Sequence, residues 1–308
     1  MIFHIVIPVF NRLSLTRECL GSLCAQTDRG FRVVVVDDRS TDGTPSAVVD
    51  EFGSRLDLRI VHGDGNLWWG GGIRAGVEEV LRDARDGDYV VTLNNDVTVP
   101  PRFLETARRA AEARPGAMFA GISIDRSNPT RVAQTGWRMI SWPLAYTQRV
   151  WWPSTVDELE RRPEFAEVDF VPGTATFTPV SVVRRVGTID SKALPHYHGD
   201  SEYAYRVKRS GHAVLLCRDL LVYHDLDSTE TLGNRRAHPT LRAVVASFFT
   251  RRSGNSLRYK WHFARACCPG WALVPFMVSD TLKVLVRAGG TYVVGERVDR
   301  LRALANPE

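Results

Sequence analysis

Asp37 and Asp38 close a β-branched run, Val33-Val34-Val35-Val36, and paired carboxylates at a strand end are poor core filling. They can accept hydrogen bonds from a base N–H or from ribose hydroxyls in a crevice. A plainer reading is a turn and helix cap, which Asp42 and Thr44 also fit. Further on, Asn66-Leu67-Trp68-Trp69 leads into Gly70-Gly71-Gly72, Arg74 and Gly76. Glycines that open a helix let backbone N–H groups approach a phosphate; a flexible loop is the alternative. Asn94-Asn95-Asp96 follows another apolar run. One carboxylate flanked by amides suits Mg2+ or Mn2+, which complete their shells with substrate phosphates and water. An Asx turn ahead of Pro100-Pro101 is the alternative there. A fourth cluster, Pro8-Val9-Phe10-Asn11-Arg12, ends the first apolar run.

These clusters need elements to hold them. Apolar runs at 3–7, 32–36, 58–61 and 89–93 alternate with helical patterns at 14–25 (Ser14 as cap), 44–52 and 71–85. That alternation predicts βαβ units and a Rossmann-type, mostly parallel sheet flanked by helices. Ligands of such sheets bind outside the carboxyl ends of the strands, where all four clusters fall. A helix over 102–114 and a strand over 118–122 follow. Residues 125–165 show no period and read as a lid, a binding loop or disorder. Strands are expected at 168–171, 174–178, 213–216 and 220–223, and a helix over 201–210 that stops at Gly211. After Gly233 the pattern is helical. This divides the chain into an α/β domain, 1–232, and a basic helical C-terminal extension, 233–308.

The chain has 308 residues, 44% of them hydrophobic and 24% charged, which excludes collagen-like, coiled-coil and largely disordered classes. From Arg235 onward there are 13 Lys and Arg against 4 Asp and Glu, a net of +9, whereas the preceding residues carry −4. A basic tail of this kind suits an anionic membrane surface or an acceptor phosphate; dimerisation and a solvated helical face are the alternatives. No recognition motif supports nucleic acid. The five cysteines, with no CxxC pair, argue against a disulfide framework or a structural zinc site and for a reducing cytosol. The start shows no basic leader or cleavage site, so secretion is not expected. The stretch Trp271–Val286, broken by Ser279, Asp280 and Lys283, falls short of a membrane span.

Taken in order, Pro8-Val9-Phe10-Asn11, Val36-Asp37-Asp38-Arg39-Ser40-Thr41-Asp42-Gly43, Asn66 to Gly76 and Asn94-Asn95-Asp96 resemble the signatures of inverting family-two glycosyltransferases of the GT-A fold. The resemblance is of the bacterial rhamnosyltransferase and galactofuranosyltransferase kind. It continues through Pro172-Gly173-Thr174 and Gly199-Asp200-Ser201-Glu202 to Val222-Tyr223-His224. It implies that Pro8, Phe10, Asn11, Asp37 and Asp38 bind base and ribose. The Gly70-Gly71-Gly72 turn and Arg74 would line the sugar diphosphate, and Asn66 and Asn95 would belong to the same nucleotide-sugar site. Asp96, at the last position of a DxD motif, and His224 would hold Mg2+ or Mn2+. Asp200 would be the catalytic base.

Two departures stand out. Asn94 replaces the first Asp of DxD, and Gly199 replaces an acidic residue ahead of the base, which leaves Glu202 as a second candidate. Asp200, placed at a loop–helix junction, is preferred. The implied partners are a nucleotide-diphosphate sugar and a glycan, lipid-linked or small-molecule acceptor. The implied location is the cytoplasm, with contact to the inner face of the membrane; a homodimer is a further alternative. Trp137, Trp142, Trp151 and Trp152 read as an acceptor lid or as packing, and His196, Tyr197 and His198 as acceptor-side groups or structural ones. Two rival functions are a nucleotidyltransferase making nucleotide-sugars and a non-catalytic binding module. The first expects a Gly-rich loop after strand one, where Pro8-Val9-Phe10-Asn11-Arg12 has no glycine.

Overall fold

The computed structural model describes residues 1–152, 155–226 and 241–287. Strands β1 (Phe3–Val9), β2 (Phe31–Asp37), β3 (Leu58–His62) and β4 (Tyr89–Leu93) pair in parallel in the order β3-β2-β1-β4. Helices α1 (Leu13–Cys24), α2 (Thr44–Phe52) and α3 (Trp68–Val80) make the crossovers. After β5 (Val97–Thr98) and α4 (Phe103–Ala113), strand β6 (Met118–Asp125) enters the same sheet. Four short elements come next: β7 (Asn128–Gln134), β8 (Trp137–Ser141), β9 (Tyr146–Arg149) and α5 (Val156–Leu159). The first unit closes with β10 (Phe165–Glu167), β11 (Ala175–Pro179), α6 (Val180–Val186), α7 (Gly199–Arg209) and β12 (Val214–His224). The main sheet runs β10-β12-β6-β11-β4-β1-β2-β3. Strand β11 lies antiparallel between β4 and β6, and β12 is parallel to β6.

Both faces of the middle of the sheet are covered, which is why β1, β2, β4 and β6 are buried nearly throughout. Phe3, Ile5, Ile7 and Val9 of β1 meet Cys19, Leu20 and Leu23 of α1 and Phe103, Leu104 and Ala107 of α4 on one side. Val6, Val34 and Val36 meet Ile73, Val77 and Val80 of α3 on the other. The close approach of α3 to the sheet needs glycine. A Cβ at Gly76 would overlap Val6 Cγ1 and lie 2.9 Å from Val36 Cγ2, and one at Gly72 would lie 2.8 Å from Pro8 Cβ.

Several expectations are corrected. Gly70, Gly71 and Gly72 are not a turn; they lie in the buried first turns of α3, because the helix starts at Trp68 and needs side-chain-free positions against its neighbours. Ser14 does not cap α1, whose N-cap position is Arg12 and carries no side-chain cap bond. Residues 125–165 are not patternless: they hold three strands and a helix with a Thr155–Glu158 capping box. Residues 168–171 form no strand, only a Trp137–Phe170 bridge. The two short strands expected at 213–223 are one, β12, with its register shifted between Leu216 and Leu221. Helix α7 begins at Gly199, not Ser201, so Asp200 and Glu202 share its first turn.

The chain divides into two compact units: 1–138 with 148–226, and 139–147 with the chain from 227. The boundary expected between 232 and 233 lies outside the described residues. In the second unit, α8 (Leu241–Ser247), α9 (Leu257–Cys267) and a helical run over 273–287, α10, agree with the helical pattern.

Candidate functional site

The site is assembled at the carboxyl ends of β1, β2 and β4, and a two-tryptophan step at the start of α3 links its parts. Asp38 leaves the end of β2 and accepts from three backbone N–H groups: Gly65 at 2.8 Å on Oδ1, Leu67 at 2.9 Å and Trp68 at 3.2 Å on Oδ2. It therefore shapes the 63–68 loop and the entry to α3. The next residue, Trp69, donates from Nε1 to Asn94 Oδ1 at 2.8 Å. The ring of Trp69 also lies flush against Gly173, where a Cβ would be 2.5 Å from Cη2. Gly173 N donates to Asp200 Oδ2 at 2.8 Å, and Asn94 N donates to Thr174 O at 3.1 Å. Asp38, the Asn94-Asn95-Asp96 turn and Asp200 are thus joined through Trp68, Trp69 and the 173–174 corner.

Asp96 is buried beside His224, with Nε2 3.4 Å from Oδ1, and Arg12 Nη1 donates to Oδ2 at 3.2 Å. The β5–β12 ladder creates this meeting by pairing Val97 with His224. Burial alone would push the Asp96 carboxyl up. The hydrogen bond from His224 and the charges of His224 and Arg12 outweigh that and hold it below the usual carboxylate range. Two donors, a carboxylate and an imidazole, suit a divalent ion that takes few protein ligands and finishes its shell with phosphate oxygens and water. Among the described residues no group of three or more His, Cys, Asp or Glu is arranged for a metal.

Asp200 and Glu202 separate clearly. Glu202 is buried and bridges to Arg206 at 2.7 and 2.9 Å, and Arg206 also donates to Val186 O and Thr188 O at 2.6 and 3.0 Å. It is a brace between α6 and α7. Among the described residues, Asp200 is held by backbone N–H groups only, Gly173 and its own helix at Ser201. Gly199 is explained by packing, since a Cβ there would lie 2.9 Å from Ile189 Cγ2 and 3.1 Å from Leu194 O. A cavity of about 20 Å³ behind Asp200, lined by Trp69, Thr92, Thr176 and Tyr203, holds at most one water-sized group.

The remaining expected residues take varied places. Asp37 is buried, with Oδ2 accepting from Ser40 N at 3.1 Å, and Oδ1 accepts no bond among the described residues. Phe10 is exposed at the rim. Asn11 adopts φ 49° and ties the 40–41 loop, accepting from Thr41 N at 2.7 Å and donating to Ser40 Oγ at 3.0 Å. Pro8 packs against Gly72, and Gly71 is buried in α3. Asn66 is exposed. Arg74 pairs with Glu78 at 2.8 Å on the helix surface. Asn95 turns inward and donates to Thr16 Oγ1 at 3.1 Å.

Sequence reasoning missed Trp68, Trp69, Gly173 and Arg12 as organisers. Left-handed backbone at Asn11, Arg39, Trp68 and His198 brackets the same rim, where strain of this kind tends to gather. Trp68 and His196 pack at 5.5 Å and His196 and Tyr197 at 4.4 Å. Trp151 and Trp152 pack against the cluster of Ile122, Ile124, Val132 and Leu159.

Sheet order, helix placement and site position define the GT-A fold. The same architecture occurs in Staphylococcus aureus TarS in complex with UDP-GlcNAc, with a TM-score of 0.58 and 13% identity over 96% of this chain and 92% of that one. It also occurs in the Pyrobaculum calidifontis mannosyltransferase PcManGT in complex with GDP-Man and Mn2+, with a TM-score of 0.56 and 18% identity over 99% and 81%. The sequence profile "Glycosyl transferase family 2" matches residues 4–187, and the chain belongs to that family. An Azorhizobium caulinodans N-acetylglucosaminyltransferase is 38% identical over 98 residues, 31% of this chain and 23% of the relative. A Mycobacterium tuberculosis N-acetylglucosaminyl-diphospho-decaprenol L-rhamnosyltransferase is 26% identical over 215 residues, 62% of this chain and 66% of the relative. The matches thus span 23% and 66% of these relatives' own lengths.

Proposed function

We propose that the chain is an inverting glycosyltransferase that moves a sugar from a nucleotide-diphosphate donor to an acceptor hydroxyl by a single displacement. The observation that carries this reading is the joining of Asp96 with His224 on one side and Asp200 on the other through Trp69, Asn94 and Gly173. Asp96 and His224 would hold Mn2+ or Mg2+. A bound ion of this kind neutralises charge growing on a diphosphate leaving group. Arg12, beside Asp96, adds a fixed positive charge to the same corner. Asp200 takes the acceptor hydroxyl proton as that oxygen attacks the anomeric carbon, and its two backbone hydrogen bonds keep the carboxylate in one orientation. Asp38 and the Trp68 step keep the loop at the donor side in shape.

The Mycobacterium tuberculosis relative, an N-acetylglucosaminyl-diphospho-decaprenol L-rhamnosyltransferase, supports a lipid-linked acceptor for this chain as well. The reading places the reaction in the cytoplasm, where five free cysteines stay reduced. The test is donor hydrolysis or transfer with nucleotide-sugars and Mn2+. Activity that is suppressed by EDTA and lost in Asp96→Ala supports the proposal. Pyrophosphate release from a sugar 1-phosphate and a nucleoside triphosphate would replace it with nucleotidyl transfer. Absence of both reactions alongside retained nucleotide-sugar binding would leave a binding module.

A further inference from the structure

Helix α10 in the second unit is turned the opposite way from an ordinary surface helix. Three of its polar residues, Ser279, Asp280 and Lys283, are turned to bonds within the unit. Ser279 Oγ donates to Pro143 O at 2.8 Å, Lys283 Nζ donates to Ala145 O at 2.8 Å, and Asp280 pairs with Lys260 at 2.6 Å. Phe276 joins them by packing on Trp142 at 5.8 Å and Phe263 at 6.1 Å. These contacts fix the rotation of the helix. What they leave outside is apolar: Trp271, Val274, Val278 and Leu282, then Val286, are 73, 67, 53, 54 and 71% exposed. Their spacing of three and then four residues draws one stripe along the helix. A soluble helix places such a stripe on its core and its charges in water.

The described residues of the second unit carry an excess of one sign of charge. Residues 241–287 hold Arg242, Arg251, Arg252, Arg258, Lys260, Arg265, Lys283 and Arg287 against a single acid, Asp280, which Lys260 neutralises. Phe249 and Trp261 stand exposed among them. We propose that this face of the second unit docks on an anionic lipid bilayer, lying in the headgroup plane with the 271–286 stripe toward the acyl chains. An apolar stripe with basic neighbours and Trp at its end has the chemistry of an interfacial helix. No helix among the described residues is long and apolar enough to cross a membrane. A second copy is disfavoured as the occupant, because a self-complementary contact sets the same cationic surface against itself. The inference extends the reading of a lipid-linked acceptor, and it fails separately from it, because docking needs neither donor nor acceptor.

The test is co-sedimentation of the full chain with phosphatidylcholine vesicles that carry or lack phosphatidylglycerol, with no sugar donor present. The expected result is binding to the anionic vesicles that weakens with salt. Val278→Asp with Leu282→Asp should lower partitioning by at least about tenfold. Arg251→Ala with Arg252→Ala should lower it by about fivefold per cation. All four side chains are exposed or on an exposed turn, and an unchanged Tm checks that the variants fold. Three outcomes overturn the proposal. One is vesicle binding that the Val278 and Leu282 substitutions leave intact. Another is a dimer in light scattering that those substitutions dissolve, which gives the face to a second copy. The last is neither vesicle binding nor self-association, which gives the face to this chain's own residues beyond 287.

Discussion

Asp200→Asn and Glu202→Gln are nearly the same chemical change two residues apart, yet the structure assigns them opposite consequences. In Asp200→Asn one carboxylate oxygen becomes an amide, so one of the two backbone bonds, from Gly173 N at 2.8 Å or Ser201 N at 2.7 Å, loses its acceptor. One such bond is worth about 1 kcal/mol, which lowers Tm by about 2–4 °C in a chain of this size. Loss of a general base removes about 10²–10⁴ in turnover. Donor affinity should hold, because Asp200 is assigned to the acceptor proton. Glu202→Gln replaces a charged bridge to Arg206 by a neutral one, with side chains 7 and 32% exposed. Because Arg206 is a third open to solvent, the cost is about 1–3 kcal/mol rather than that of a fully buried pair. Its turnover should change only a few-fold. Thermal unfolding, donor titration and initial rates on the two variants read all three quantities. Full turnover in Asp200→Asn, or collapse in Glu202→Gln without loss of Tm, would refute the assignment of base and brace.

Three further outcomes are expected. Trp69→Phe keeps a ring against Gly173 and removes the 2.8 Å bond to Asn94, so kcat should fall with a stability loss of only about 1 kcal/mol, whereas Gly173→Ala displaces the ring and should lower kcat further; equal rates in all three proteins would show that Trp69 positions nothing. Gly76→Ala gains helix propensity but forces a methyl onto Val6 and Val36, so urea unfolding should show a net loss of about 1–3 kcal/mol, and a stabilised variant would contradict the packing. Stability should fall on acidification. Burial lowers His4 from 6.5 despite Asp88, and the Arg108 hydrogen bond lowers Asp28 from 3.8. Both folded values lie below the unfolded ones, so both contributions are complete above those unfolded values and fade as pH drops through the folded ones. The Tm should therefore begin to decline below pH 6.5 and drop again below 3.8, and Arg108→Ala should blunt the second step.

Much of the fold was legible from local pattern. The first four strands and the helices between them follow from apolar runs ending in Pro8, Asp37 and Asn94, because a strand covered on both faces must be apolar throughout. The helical character of 241–287 was legible for the same local reason. The 125–165 region was not, since its strands are short and irregularly paired, β7 meeting β6 across a hairpin with two register shifts and β8 pairing with β9, and carry no repeat of their own.

The site divides along the same line. The motifs at the ends of β2 and β4 nominated Asp38 and Asp96 from residue type and order, and the resemblance to family-two glycosyltransferases added Asp200 and His224. Which of them meet, and through what, was decided by the tertiary structure alone. Within the run that looks like a phosphate loop, Gly72 and Gly76 let α3 lie on β1, and the demand for them comes from Pro8, Val6 and Val36, far away in the chain. Asn95 looks like a ligand and is tied to Thr16, while Trp69 looks like packing and joins Asn94 to the Asp200 corner. A side chain's type limits the bonds it can make; only the packed neighbours determine which of those bonds it spends on the scaffold.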